Sequence, residues 1–165
     1  MLQEEKYGPN PYEISGLGGW LILIQLGLIG TLFNAVVNLI TITLPSLFSD
    51  TWTLFTTKGS YLYHALWGPF FIFEAVYTVL LIGFSIYVLV VFYSKKKILP
   101  RLMIILYAGS LAYAIIDYSL VQQIPIAGEI VNGNPLRNLV RPTLTCLFFI
   151  PYFLKSVRVK NTFIK

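Results

Sequence analysis

Five polar residues stand inside stretches that are otherwise almost wholly apolar: Asn34, Asn38, Glu74, Asp117 and Arg141. Arg141 can hold a carboxylate or another anion through two parallel N–H···O bonds. A carboxylate left without a counter-charge at membrane depth can take a proton or a cation. The two asparagine amides supply neutral donors and acceptors around such a centre. The remaining reactive inventory is thin. His64 is the single histidine and Cys146 the single cysteine. The chain can therefore assemble neither an internal disulfide nor a structural zinc site, and no metal or cofactor is expected. Cys146 sits in a Leu- and Phe-rich run with no neighbouring base, the pattern of an inert buried thiol. His64 lies just outside an apolar run and reads as an interfacial histidine, although its type would also suit a pH sensor. No phosphate-binding glycine loop or nucleophile elbow occurs. An intramembrane enzyme would have only acids and one guanidinium to work with, so a non-enzymatic role is expected.

The elements that must position these groups follow from composition. The chain has 165 residues, 56% hydrophobic and only 12% charged, against roughly 25% charged in a soluble domain. That excludes a soluble enzyme, a nucleic-acid binder and a disordered chain, and leaves an integral membrane protein. A helix needs about 20 apolar residues to cross a bilayer. Four runs qualify as transmembrane spans within a single membrane domain: 17–44, 66–93, 101–121 and 136–154. Hydrocarbon offers the backbone no partners, and the runs lack strand alternation, so they are helices. The fold class is all-α, an antiparallel four-helix transmembrane bundle. The fourth run must begin early enough to carry Arg141 into the bilayer, because residues 142–154 alone cover only about 20 Å.

Orientation follows from the basic residues. If the loop at Lys95, Lys96, Lys97 and Arg101 is cytoplasmic, both termini are cytoplasmic too. Lys6, Lys155, Arg158, Lys160 and Lys165 then join the inner set, nine residues in all against Lys58, Arg137 and Arg141 outside. Trp20, Tyr93 and Tyr152 fall at inner ends and Trp67 and Tyr118 near outer ends, as aromatic anchors should. The segment before the first run carries Glu4, Glu5, Lys6 and Glu13. A secretory leader begins basic, so the first run reads as a retained span. The first outer connection, 45–65, holds Leu47, Phe48, Trp52, Leu54 and Phe55, which suggests a short interfacial helix; an extended segment packed on the bundle is the alternative. The second, 122–137, holds Pro125, Gly128, Asn132, Gly133, Asn134 and Pro135 and reads as turns. Ala108, Ser110, Ala112 and Ala114 suggest a small-residue contact face, as do Gly27 and Gly30.

Depth arithmetic joins the polar residues. Measured from the inner end of each span at about 1.5 Å per residue, Asn34 stands ~26 Å up, Asn38 ~32 Å, Glu74 ~28 Å, Asp117 ~24 Å and Arg141 ~20 Å. All five fall in the outer third, on four spans. A charge deep in hydrocarbon costs about 2.5–3.5 kcal/mol on insertion scales, and charges at one depth are cheaper if they meet. Glu74, Asp117 and Arg141 are therefore expected to face the interior with Asn34 and Asn38 nearby, Arg141 pairing with Asp117. Two acids against one base leave a negative charge over. The cluster is either a ligand, ion or lipid site or a structural lock in an accessory or self-associating membrane protein.

The two ends of the chain carry a further signal. Gly16-Leu17-Gly18-Gly19-Trp20-Leu21-Ile22 opens the apolar region, and Ile150-Pro151-Tyr152-Phe153-Leu154-Lys155-Ser156-Val157-Arg158-Val159-Lys160-Asn161-Thr162-Phe163 closes the chain. Together they resemble the bacterial four-span inner-membrane family catalogued as domain of unknown function 2569. That family opens on a similar G-x-G-G-W-L and closes on a similar P-Y-F-x-x-S-x-R-V-K-x-T-F. The resemblance covers residues 16 to 164. It implies topology and an inner-membrane location, and it brings no activity. Physically, Gly16, Gly18 and Gly19 permit a tight helix start and close approach of a neighbour. Lys155, Arg158 and Lys160 would lie among anionic lipid headgroups at the cytoplasmic face, each contributing about 1 kcal/mol of attraction. Membrane lipids are thus the expected partners, with a second copy or another membrane protein as the alternative and no nucleic acid.

Overall fold

The structure is a computed structural model and describes residues 16, 18–125 and 135–164. Among these residues all regular structure is helical. Helix α1 (Trp20–Asn38) runs through a π-helical turn (Leu39–Thr43) into α2 (Leu44–Phe48); α3 (Asp50–Thr56), α4 (Trp67–Tyr93), α5 (Leu99–Gln122), α6 (Pro135–Lys155) and α7 (Val157–Thr162) follow. Glu4, Glu5, Lys6, Glu13, Lys165 and the turn residues Gly128, Asn132, Gly133 and Asn134 lie outside the described residues.

Local chemistry sets the helix ends. Gly19 has φ +62° and ψ −135°, a backbone that L residues resist, so α1 begins abruptly at Trp20. The wide turn at Leu39–Thr43 lies just before Pro45. Proline has no N–H to offer the preceding turn, and a π-bulge is one way for a helix to absorb that gap. Pro100 occupies the first turn of α5, where a missing N–H costs nothing. At Ser156 the chain becomes extended, and the serine Oγ accepts from the Val159 N–H to cap α7.

Among the described residues, three helical rods are long and apolar enough to cross a membrane: Trp20–Phe48, Trp67–Tyr93 and Leu99–Gln122. They mark the chain as a multi-pass membrane protein. The fourth run behaves differently from the other three. Helix α6 has 21 residues, about 31 Å at the usual rise, but Arg141, Lys155, Pro142 and Pro151 dilute its apolar character.

The rods pack along heptad-like stripes. On α4 the stripe is Trp67, Phe71, Glu74, Thr78, Leu81, Ser85, Val88 and Phe92, of which all but Glu74 and Leu81 are buried. On α5 it runs through Leu99, Met103, Leu106, Ser110, Ala114 and Asp117. One core joins Leu21, Ile24 and Leu28 of α1, Val88, Val91 and Phe92 of α4, Leu99, Leu102, Met103 and Leu106 of α5, Phe153 of α6, and Val159 and Phe163. A second, smaller core at the far end of α4 and α5 holds Trp67, Phe71 and Ile124, flanked by Trp52 and Phe55. Lipid is as apolar as leucine, so these contacts stabilise through close packing rather than escape from water.

The connection between the first and second rods contains one short helix, α3, beyond the α2 end of the first rod. Helix α3 turns its aromatic side onto α4, with the Phe55 and Trp67 ring centroids 4.8 Å apart. The expected small-residue face of α5 is met in part: Ser110 and Ala114 turn inward, where Ser110 meets Tyr77 of α4, while Ala108 and Ala112 are exposed, because a step of two residues turns a helix by about 200°. A Cβ at Gly27 or Gly30 would meet nothing within 4 Å, so neither glycine admits a neighbour.

Candidate functional site

Between the two cores the interior stripes of α4 and α5 carry Glu74 and Asp117. Both are half-buried. Three aromatic rings lie with them. Tyr113 stacks on Tyr77 with centroids 3.6 Å apart and planes 7° from parallel, and on Phe73 at 5.5 Å. The Tyr77 hydroxyl donates to Ser110 Oγ at 3.4 Å, and Ser110 donates to the Leu106 carbonyl at 2.8 Å. Among the described residues neither carboxylate has a hydrogen-bond donor or a cation as partner. The arrangement is an uncompensated pair of acids beside a stack of phenols.

Arg141 is not part of it. The expectation that it faces the interior and pairs with Asp117 does not hold: Arg141 is exposed on α6, with no ion pair among the described residues. The face of α6 toward α5 is fixed by Cys146, whose Sγ donates to the Tyr107 carbonyl at 3.2 Å, and by the Tyr107–Phe149 and Tyr107–Phe153 ring contacts. Cys146, Phe149 and Phe153 recur at helical spacing toward α5, and one more step of that stripe falls on Pro142. Arg141 is turned about 100° away. Asn34 is exposed, and Asn38 is half-buried with its Oδ1 accepting from the hydroxyl of buried Thr43 at 3.1 Å. Cys146 is a buried free thiol. His64 Nδ1 accepts the Leu66 N–H at 3.3 Å, helping to shape the entry to α4.

Tyr77 and Tyr113 were not among the residues picked out from the sequence. A signal for them exists: Tyr77 is three residues after Glu74 and Tyr113 four before Asp117, the offsets that share a helix face.

At the opposite end of the molecule the two terminal motifs meet. The Gly16 N–H donates to Thr162 Oγ1 at 3.0 Å, and the threonine hydroxyl lies 3.3 Å from the Gly16 carbonyl. The Arg158 guanidinium rests on the backbone of Gly18 and Gly19; a Cβ at Gly19 would stand 2.5 Å from Nη1. Val159 and Phe163 enter the larger core, where Phe163 meets Phe92 at 5.6 Å. Segments 146 residues apart in sequence are thus joined.

A family model described as "Protein of unknown function (DUF2569)" matches residues 14–164. No curated protein and no solved structure matches the chain.

Proposed function

The chain belongs to the DUF2569 family, and from that premise we propose that it is a bacterial inner-membrane protein binding a monovalent cation or a proton at Glu74 and Asp117. Four helices cross as an antiparallel bundle, with both termini cytoplasmic and the acid pair in the outer half. The observation that carries this reading is the placement of two carboxyls on the facing interior stripes of α4 and α5 with no cation among their neighbours. Unpaired charge in a low-dielectric interior is costly, and a bound cation or proton relieves it. The phenols of Tyr77 and Tyr113 add oxygen ligands or proton-relay groups. Asn38 stands at a comparable height on α1, although it already engages Thr43. No chemistry on a substrate is invoked.

Thermal unfolding of the purified protein in detergent tests the reading. Sodium or potassium at constant ionic strength, or a lowered pH, should raise the Tm of the parent, and the double variant Glu74→Gln/Asp117→Asn should abolish that response. An identical response in the double variant would remove the site.

A second reading rests on Arg141. Exposed among Val140, Leu144 and Leu147, it would pair with an acidic group on a partner membrane protein or a second copy, making the chain an accessory or self-associating subunit. Cross-linking that depends on Arg141 would separate this from a solitary role.

A further inference from the structure

We propose that the cleft between the opening glycines and α7 binds one anionic phosphate ester, in the first instance the headgroup of a glycerophospholipid, with Arg158 as its principal ligand. The cleft has a volume of about 350 Å³ and is lined by Gly19, Trp20, Tyr152, Ser156, Val157 and Arg158, within the range of small-ligand sites.

Arg158 is placed unlike an ordinary surface arginine. Its guanidinium approaches Gly18 and Gly19 with Nη1 foremost: a Cβ would stand 3.4 Å from Nη1 at Gly18, and 2.5 Å from Nη1, 3.3 Å from Cζ and 3.9 Å from Nη2 at Gly19. The adjoining elements are pinned on both sides. Gly16 is bonded to Thr162, and Val159, the next residue, is fully buried. Yet the guanidinium, half-buried, has neither an ion pair nor a hydrogen bond among the described residues. A pre-positioned fork of N–H donors without an acceptor is suited to phosphate oxygens, which it meets through paired bonds that a lysine cannot reproduce. Trp20, 64% exposed, and Tyr152 flank it with the amphipathic rings that settle at headgroup level. Exposed Lys155 and Lys160 attract anions diffusely, whereas half-buried Arg158 is seated against the two glycines.

Which leaflet supplies the lipid rests on the orientation proposed above. The binding itself does not, and it is independent of the Glu74–Asp117 site, whose variants leave this cleft intact.

Native mass spectrometry of the full chain in detergent tests the proposal, with phosphatidylglycerol, phosphatidylcholine, glycerol phosphate and inorganic phosphate as separate probes. One phosphatidylglycerol should be retained in preference to phosphatidylcholine, and Arg158→Ala should weaken it by about tenfold or more, the loss of a bidentate contact. Arg158→Lys keeps the charge and should still lose most of that affinity. Gly19→Ala changes no charge and should weaken binding by displacing Nη1, and Gly18→Ala, at a milder 3.4 Å, should do so to a lesser degree. Melting curves on every variant separate lost binding from lost fold. Tight retention of glycerol phosphate would support the phosphate site and name the soluble ester as its source. Two results would overturn the proposal: equal phosphatidylglycerol retention in Arg158→Ala and the parent, or equal losses in Arg158→Ala, Lys155→Ala and Lys160→Ala, which signify diffuse attraction alone.

Discussion

Arg141 shows what a single residue's depth does and does not determine. Its position along α6 is fixed by counting, but its direction around the helix is set by Cys146, Phe149 and Phe153 packing on Tyr107. A buried ion pair that loses one partner costs about 3–5 kcal/mol; an arginine without an ion-pair partner has no such interaction to lose. Arg141→Ala should therefore leave the unfolding free energy unchanged or raise it, since it removes an unpaired charge, measured by denaturant titration in mixed micelles. A loss of several kcal/mol would mean that the guanidinium does reach an acid. Tyr113 should behave in the opposite way. It stacks on both Phe73 and Tyr77, and aromatic pairs contribute about 0.5–1.5 kcal/mol each beyond their area. Tyr113→Leu should accordingly cost about 1–3 kcal/mol, while Tyr77→Phe, which keeps the stack and gives up one long hydrogen bond, should cost about 1 kcal/mol or less. The acids were legible in the sequence because a charge in an apolar run is conspicuous at any angle. The phenols were not, because tyrosine is ordinary in such runs and only its offset from an acid marks it.

At the scale of elements, the long runs were readable because the demand for internally bonded backbone fixes both their helical form and their length. Their interruptions were less so. The turn before Pro45 appears as a π-helical segment, Leu39–Thr43, inside one continuous rod, since a proline one turn ahead can be absorbed without ending a helix. Small residues in alternation form a contact face only in part, because 3.6-fold geometry divides exposed Ala108 and Ala112 from inward Ser110 and Ala114. The rods are held at one end by the larger core, which a paired substitution can expose. Phe92 is 0% exposed within it and Phe148, on the outer side of α6, is 67% exposed. Phe92→Ala should destabilise by about 3 kcal/mol, mostly through the cavity left behind, and Phe148→Ala by less than about 0.5 kcal/mol. Steric-trap or denaturant unfolding in micelles reads the difference. Similar losses at both sites would mean that the core does not organise the rods.

For the whole molecule, the two ends of the chain constrain how many times it crosses. Val91, Phe92 and Leu99 border the turn between α4 and α5, and they share one core with Phe153, Val159 and Phe163 from the end of α6 and the C-terminal segment. Helix α6 also packs along α5. If α4 and α5 cross the bilayer, α6 must return beside α5 to bring its end to the same side, even though Arg141 and two prolines reduce its apolarity. The bends and polar groups that weaken its sequence signal are tolerable where neighbouring helices cover them. A cysteine-labelling experiment decides the matter, starting from Cys146→Ser to remove the native thiol. In intact cells, an impermeant maleimide should label Lys58→Cys and leave Lys96→Cys and Lys160→Cys unlabelled until the membrane is opened, the distribution that the excess of basic residues near both of those positions favours. Co-labelling of Lys160→Cys with Lys58→Cys would leave three crossings and place α6 along the surface.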